Sequence, residues 1–301
     1  MRPRFFSLLL VLLCSAALAG PPPSHKQLRV FVFGDSLSDN GNLIVYHPEY
    51  MGSEMPPPYD PQRFSNGPIW VDHVGTVLKT TVAPEVDGGT NYAASAATIS
   101  PDNYLTVWPD ITGFAEVDRY LEDFGSADPA AIYVVWFGGN DIDPPAEYTE
   151  WAFTTLVDML GRLHAAGARN FLIPNMTDIG EWPLLRDFFP PDYAAALSEM
   201  TLLWNERLLE LEDLFPDATI RISNVYALKE FIDRFPDLFG FTNTTDPCYH
   251  RWTDETVCPN PENYWFWDPS HPTTRAHRVL ASLFVLDLWR AGMLKPKDFR
   301  H

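Results

Sequence analysis

Four short runs of apolar, β-prone residues alternate along this chain with segments of helical spacing, and this order limits the possible folds. The runs lie at residues 28–33, 131–137, 170–174 and 219–223, and a fifth strand is expected near residues 80–83. Helices are predicted at residues 69–79, 112–124, 147–166, 192–214, 225–235 and 272–290. Strands separated by helices of this length indicate βαβ units. We therefore predict an α/β fold, a three-layer α/β/α sandwich with a mainly parallel five-stranded sheet.

The N-terminus has the pattern of a secretory signal peptide. Arg2 and Arg4 precede an apolar run at residues 5–13, and Ala17-Leu18-Ala19 provides the small residues of a cleavage site. The apolar run is too short to span a bilayer, although a membrane anchor is the alternative interpretation. We predict that residues 1–19 are the signal peptide, that residues 20–301 form a single domain, and that the protein is secreted and extracellular.

The cysteines agree with an oxidising compartment. Cys14 lies in the predicted signal peptide, which leaves Cys248 and Cys258 as an even pair. We predict that they form a disulfide, which closes a short loop within an otherwise irregular segment at residues 239–263. Asn175 and Asn243 each begin an Asn-x-Ser/Thr sequence and are candidate glycosylation sites.

The formal net charge of −19 argues against several classes of partner. An acidic protein repels nucleic acid and anionic membrane surfaces, and the sequence has no basic patch with interleaved aromatic residues. We expect no nucleic-acid partner and no stable membrane association, and we expect a monomer.

A serine follows the first predicted strand, where parallel sheets carry their chemistry. Ser36 lies just beyond this strand, and ligands bind beyond the carboxyl ends of parallel strands. Near the C-terminus, His271 could take the serine proton and Asp268 could orient that base. Asn140, after the strand at residues 131–137, could direct its amide at an oxyanion. Each of these segments alone is also typical of an ordinary polar turn.

Taken together and in this order, the segments resemble the SGNH, or GDSL, hydrolases. The matching parts are Gly34-Asp35-Ser36-Leu37 with Asp39 and Gly41-Asn42, the block Asn91-Tyr92-Ala93, Gly138-Gly139-Asn140-Asp141, and Asp268-x-x-His271. The stretch Arg63-Phe64-Ser65-Asn66-Gly67-Pro68 with Trp70 is similar to the secreted plant and fungal branch. The resemblance covers nearly the whole mature chain. It implies a flavodoxin-like sheet, ester hydrolysis and no metal or other cofactor.

The resemblance also implies a role for each residue. Ser36 is the nucleophile, His271 is the base and then the acid, and Asp268 orients His271. The oxyanion donors are the backbone N–H of Ser36, the side-chain amide of Asn140 and a backbone N–H at Ala96. The family usually has glycine where Ala96 stands, so a positive φ at this position would strain the backbone.

Within the secreted fungal branch, the resemblance is closest to the acetylesterases of carbohydrate esterase family 16. It implies that the partner is a small-molecule or oligosaccharide ester, in particular an acetylated plant-wall saccharide. A lipase or lysophospholipase of the same fold is the first alternative. A non-catalytic carbohydrate-binding protein is the second, since Trp108 and Tyr264-Trp265-Phe266-Trp267 could stack on sugars. An α/β-hydrolase is excluded because the sequence contains no Gly-x-Ser-x-Gly.

Overall fold

Residues 28–299 are described by a computed structural model, in which four parallel strands form the central sheet. The strands lie side by side in the order β1 (Val30–Gly34), β2 (Ile132–Trp136), β3 (Asn170–Pro174) and β4 (Thr219–Ser223). Their apolar runs are nearly continuous because a parallel sheet is buried on both faces. The predicted signal peptide, residues 1–19, lies outside the described residues.

The sheet has four strands among the described residues rather than the expected five, because residues 80–83 do not pair as a strand. This run leads directly into Pro84, which has no N–H to donate to a ladder. Residues 90–94 lie along the outer edge of β1 instead, where the Tyr92 N–H donates to the Val32 carbonyl at 2.8 Å. With this edge segment included, the strand order is the 2-1-3-4-5 order of flavodoxin-like sheets.

The helices lie between these strands and after them. Their bounds are α1 (Leu43–Tyr46), α2 (Pro48–Met51), α3 (Trp70–Leu78), α4 (Gly113–Phe124), α5 (Ala146–Ala166), α6 (Pro183–Phe188), α7 (Pro191–Arg207), α8 (Leu211–Leu214), α9 (Val225–Arg234) and α10 (Thr274–Arg290). Short 3₁₀ turns lie at Glu85–Asp87, Pro109–Ile111, Leu208–Glu210, Pro236–Phe239, Pro261–Asn263 and Pro296–Phe299. None of the helices between residues 28 and 299 is long and apolar enough to cross a bilayer.

The helices form separate layers on the two faces of the sheet. Phe31 of β1 faces one side, where the ring of Tyr120 from α4 lies 4.9 Å from it between ring centres. Tyr133 of β2 stacks on Phe31 at 5.4 Å and shares this side. Trp136, three residues further along β2, faces the other side and meets Phe284 of α10 at 5.4 Å. Side chains alternate along a strand, so the two sets of rings mark two helical layers, as predicted.

One predicted helix is interrupted. The helix expected at residues 192–214 is α7, which ends at Arg207 and is followed by a 3₁₀ turn and then α8. Asp192, expected as its capping residue, makes no capping hydrogen bond and lies in the first turn. Pro190 and Pro191 begin the helix instead, because proline is pre-organised for the first helical position.

The segment predicted to be irregular contains part of a second, small sheet. Its strand β5 (Asn243–Pro247) pairs in parallel with β6 (Tyr264–Phe266). The predicted disulfide follows β5 and joins Cys248 to Cys258, with 4.8 Å between their Cα atoms. Cys248 is fully buried in a satellite cluster, which we call the disulfide cluster, of Ile44, Met55, Tyr59, Cys248, Tyr249 and Trp267.

The two candidate glycosylation sites differ in exposure. Asn175 is only 6% exposed, and its side chain bonds to Asn224 and to the Tyr226 N–H. A glycan on Asn175 would have to displace these buried contacts, so the folded state does not favour it. Asn243 is half-buried and donates to Asp246 Oδ2 at 3.0 Å.

Candidate active site

Ser36 lies on a tight turn directly after β1. The Gly34 backbone approaches β2 so closely that a Cβ on Gly34 would lie 2.7 Å from the Trp136 carbonyl oxygen. Just beyond it, the Asp35 carboxylate accepts the Leu37 N–H at 2.9 Å. This bond bends the chain away from the sheet and leaves the Ser36 side chain at the carboxyl edge of β1. Asp35 thus fixes the turn.

The residues predicted as nucleophile, base and carboxylate lie in one hydrogen-bonded line. His271 Nε2 is 2.8 Å from Ser36 Oγ. His271 Nδ1 is 2.9 Å from Oδ1 and 2.8 Å from Oδ2 of Asp268. The backbone N–H groups of Ser270 and His271 also donate to Asp268 Oδ1, both at 2.8 Å. The loop before α10 therefore presents the base and its carboxylate as one unit.

Asp268 is a buried carboxylate, 1% exposed. Burial acts to raise its pKa, but the charge and hydrogen bond of His271, together with the Tyr59 hydroxyl, hold the pKa of Asp268 below its ordinary value. Tyr59 Oη donates to Asp268 Oδ2 at 2.6 Å. Asp268 is therefore ionised at neutral pH, as a group that orients an imidazole must be. Tyr59 is a residue that the sequence analysis missed.

The three residues predicted to provide the oxyanion donors, Ser36, Ala96 and Asn140, line one cavity together with His271. The volume of this cavity is about 200 Å³. Asn140 Nδ2 donates to the Ala97 carbonyl at 3.0 Å, which fixes the amide next to Ala96 and leaves its second hydrogen available. Within residues 28–299, the backbone N–H groups of Ser36 and Ala96 have no protein acceptor. The donors a tetrahedral oxyanion needs are thus present at one cavity.

Ala96 has a left-handed backbone conformation, with φ of 66°. The Ala97 N–H donates to the Ala94 carbonyl at 3.1 Å, so residues 94–97 form a turn with positive φ at its third residue. Glycine is preferred at that place in a type II turn. The strain anticipated from alanine at this position is therefore present in the fold.

Asp39 and Asn42 join the nucleophile segment to the oxyanion segment. Asp39 Oδ1 accepts the Asn42 N–H at 2.7 Å, and its Oδ2 accepts both the N–H and the hydroxyl of Ser95 at 2.8 Å. Asn42 Nδ2 donates to the carbonyls of Asn91 and Ala93, each at 2.8 Å. These two polar residues fix the segment that carries Ala96 against the segment that carries Ser36.

Two further carboxyls are buried next to the site. Glu116 of α4, with no exposed surface, accepts the Gly34 N–H at 2.9 Å and the Ala94 N–H at 3.2 Å. Burial raises the pKa of Glu116 well above its ordinary value. Burial also raises the pKa of Asp141 to about 7, while its Oδ1 accepts the Ile99 N–H at 2.8 Å. Glu116 was not predicted, because an acidic residue on an amphipathic helix normally faces water.

The cavity at Ser36 has an apolar wall that the sequence analysis also missed. Ile179, Trp182 and the first turns of α6, at Leu184 and Leu185, form this wall. On another side, Phe64 packs its ring 4.9 Å from the imidazole of His271. No motif marks residues 179–185, so only the fold reveals their place beside the nucleophile.

Comparison with known proteins decides the class of this enzyme. The sequence model of the family described as GDSL-like lipase/acylhydrolase matches residues 30–284. The chain belongs to this family. It is an ester-hydrolysing serine hydrolase of the GDSL type, and the match spans every segment on which the resemblance was based.

Several proteins align with most of this GDSL chain. A phosphatidylcholine-sterol acyltransferase of Aeromonas hydrophila is 27% identical, over 84% of this chain and 88% of that protein. A GDSL esterase/lipase of Arabidopsis thaliana is 26% identical, over 87% of this chain and 88% of that protein. Among solved structures, a lipase/acylhydrolase from Enterococcus faecalis has a TM-score of 0.44 at 14% identity, covering 89% of this chain and 98% of that chain.

Proposed function

We propose that this protein is a secreted acetylesterase that removes acetyl groups from plant-wall saccharides through an acyl-enzyme on Ser36. The observation that carries the proposal is the line of hydrogen bonds from Ser36 Oγ through His271 to Asp268, beside a cavity that Ala96 and Asn140 also line. Secretion is supported by the N-terminal sequence and by the disulfide.

The proposed reaction has two halves. Ser36 Oγ attacks the ester carbonyl carbon while His271 Nε2 takes the serine proton. The oxyanion accepts hydrogen bonds from the N–H groups of Ser36 and Ala96 and from the Asn140 amide. The intermediate then expels the alcohol, which receives the proton from His271. Water attacks the acyl-enzyme by the same steps and frees Ser36 and the carboxylic acid.

The size of the cavity supports a short acyl group. Its volume is about 200 Å³, and it must hold both the acyl group and the first atoms of the alcohol. Pockets that bury drug-sized ligands are larger, about 300–1,000 Å³. An acetyl group fits this space more readily than a long acyl chain.

A second cavity supports a saccharide as the alcohol. It measures about 350 Å³, and its lining includes Phe188, Trp252, Tyr264 and Pro269. Pro269 precedes His271 by two residues, so their Cα atoms are at most about 7.6 Å apart. This cavity therefore lies near the residue that would protonate the leaving alcohol. Trp252 is 48% exposed, and its ring offers a flat apolar surface to the C–H face of a sugar.

One observation favours the alternative of a lipase or lysophospholipase. The wall formed by Ile179, Trp182, Leu184 and Leu185 is apolar and would tolerate an acyl chain longer than acetyl. Each buried methylene of such a chain would contribute about 0.8 kcal/mol. The relative from Aeromonas hydrophila is named for acyl transfer from a phospholipid, which agrees with this alternative.

Rates across acyl chain lengths distinguish the two candidates. We expect kcat/KM to fall from p-nitrophenyl acetate through the butyrate to the octanoate, and acetylated xylo-oligosaccharides to be deacetylated. Trp252→Ala should lower kcat/KM for the oligosaccharide about tenfold more than for p-nitrophenyl acetate. Trp289→Ala is the matched control, because Trp289 is 44% exposed on α10 and lies outside both cavities. A maximum at octanoate would replace the acetylesterase by the lipase.

A further inference from the structure

The structure assigns a positioning role to Tyr59: its hydroxyl fixes the Asp268 carboxylate and, through it, the orientation of His271. Tyr59 and Asp268 are 209 residues apart in the chain, and their hydrogen bond of 2.6 Å is buried. The inference rests on the catalytic roles proposed above for Ser36, His271 and Asp268. It does not depend on which ester the enzyme prefers.

The two oxygens of Asp268 are fixed by different parts of the protein. Oδ1 accepts the backbone N–H groups of Ser270 and His271, which belong to the same loop as Asp268 itself. Oδ2 accepts the Tyr59 hydroxyl, in addition to its contact with the imidazole. Donors on one oxygen alone would let the carboxylate turn about the Cβ–Cγ bond. Donors on both oxygens fix its plane, and the imidazole that bonds to it is fixed as well.

Tyr59 is itself immobilised by the disulfide cluster. Its ring meets Tyr249 at 5.6 Å and Trp267 at 6.3 Å between ring centres, both nearly perpendicular. The guanidinium of Arg251 lies 5.4 Å from the centre of the same ring. Cys248, the neighbour of Tyr249, is covalently bound to Cys258. The phenol therefore reaches Asp268 from a rigid, braced support rather than from a free loop.

The electrostatics of the pair agree with this role. A hydrogen bond to an ionised acceptor is about twice as strong as a neutral one. Burial, and then the charge of Asp268, raise the pKa of Tyr59, so its hydroxyl remains a donor at any pH at which an esterase works. The charged and titratable groups that face this pair are His271 on the Asp268 side, and Tyr249 and Arg251 on the Tyr59 side. His271 itself also faces Asp35 after β1 and His277 on α10, and neither variant below changes these two groups.

The test compares two tyrosines of one cluster. Tyr59→Phe keeps the ring and removes the donor. Tyr249→Phe is the matched control: Tyr249 is 7% exposed, like Tyr59, but within residues 28–299 its hydroxyl has no hydrogen-bond partner. With p-nitrophenyl acetate, we expect Tyr59→Phe to lower kcat about tenfold with little change in KM, since a hydrogen bond to a charged group is lost and the bound substrate is not touched. Tyr249→Phe should stay within twofold of the unmodified enzyme.

The pH profile provides a readout that loss of packing would not move. Without the Tyr59 donor, more negative charge remains on Asp268, which then stabilises the imidazolium form of His271. The acid limb of kcat/KM should therefore move to higher pH in Tyr59→Phe and stay in place in Tyr249→Phe. An unmoved acid limb together with a kcat within twofold would overturn the role of Tyr59, as would equal losses in the two variants.

A double-mutant cycle separates action through Asp268 from a general loosening of the fold. In an Asp268→Ala background, Tyr59→Phe should cost less than twofold, because the group that it positions is gone. A tenfold loss that persists in this background would contradict the inference. If Asp268→Ala alone left kcat unchanged, the proposed catalytic roles would be wrong as well, so the two failures are distinguishable.

Discussion

The positive φ of Ala96 lowers the stability of the fold and at the same time sets the direction of a backbone N–H in the catalytic site. A residue other than glycine in the left-handed region costs about 1–2 kcal/mol. The turn of residues 94–97 requires this conformation, and Asp39 fixes the turn through Ser95. The N–H of residue 96 keeps its direction whichever side chain is present, because the turn and not the side chain sets it.

We expect Ala96→Gly to increase the free energy of unfolding by about 1 kcal/mol and to change kcat less than threefold. Urea denaturation and p-nitrophenyl acetate hydrolysis measure the two effects. Lys79→Gly is the control, since Lys79 has φ of 51° at the end of α3, outside the cavity at Ser36. It should stabilise the fold similarly and leave kcat unchanged. A tenfold loss of kcat in Ala96→Gly would show that the alanine methyl itself supports the oxyanion site.

The residues that a motif marks could be predicted from the sequence, and those that only the fold brings near could not. Ser36, Asn140 and His271 follow strands or precede a helix, where the sheet edge is expected, so their meeting was predictable. Tyr59 lies in a proline-rich stretch without a catalytic motif, and the sequence around Glu116 is typical of a solvent-exposed acidic residue on a helix. Each takes its importance from a partner more than 80 residues away, Gly34 in the case of Glu116.

At the scale of elements, the segment from Cys248 to Cys258 supports the catalytic site through its contacts with Tyr59. The disulfide joins two residues with a sequence separation of 10, and this link reduces the conformational freedom of the unfolded chain. Loops of this size correspond to about 2–3 kcal/mol of stabilisation. The same segment carries Tyr249 and Arg251, which contact Tyr59, so its order also bears on Asp268.

Replacement of both cysteines, Cys248→Ser with Cys258→Ser, should lower the free energy of unfolding by about 2–3 kcal/mol. It should also lower kcat at temperatures well below unfolding, because the support of Tyr59 becomes looser. Chemical denaturation and ester hydrolysis at 25 °C provide the measurements. A reductant should lower kcat of the unmodified enzyme to a similar extent, and it should leave kcat of the variant unchanged. Unchanged kcat in the double variant would separate the disulfide from the site.

The elements themselves were predicted well where local pattern decides and poorly where distant pairing decides. β3 and β4 have the predicted bounds because apolar runs and turn residues define them locally. The fifth strand expected near residues 80–83 does not form, because pairing beside β1 depends on which backbone groups face that strand. Residues 90–94 provide those groups, and no local pattern distinguishes them from a loop.

At the scale of the whole molecule, several buried acidic residues lie at or near the carboxyl edge of the sheet. Burial raises the pKa of Asp35 to about 6 and of Asp141 to about 7, and it raises the pKa of Asp39 and Glu116 as well. The folded state binds these protons more tightly than the unfolded state does. These groups therefore make their full contribution to the free energy of unfolding below their ordinary pKa values, and this contribution decreases as the pH rises towards 7.

We predict that Asp141 contributes less to the free energy of unfolding at pH 7 than at pH 4, and that Asp141→Asn removes this pH-dependent contribution. An asparagine can keep the bond from the Ile99 N–H but has no proton to lose. Chemical denaturation at several pH values tests this, with Asp213→Asn on the exposed surface of α8 as the control. An identical slope in Asp141→Asn and the unmodified protein would contradict the prediction.

The loop between the two cysteines also determines what one proteolytic cut would do. Residues 252–257 are exposed, and they separate the part of the chain with Ser36 and Asn140 from the part with Asp268 and His271. A protease that cleaved this loop would produce a two-chain enzyme, with the nucleophile on one chain and the base on the other, joined covalently by Cys248–Cys258. Under denaturing conditions, such a nicked enzyme would migrate as one species until a reductant broke the disulfide, and it would then separate into one fragment with the nucleophile and one with the base.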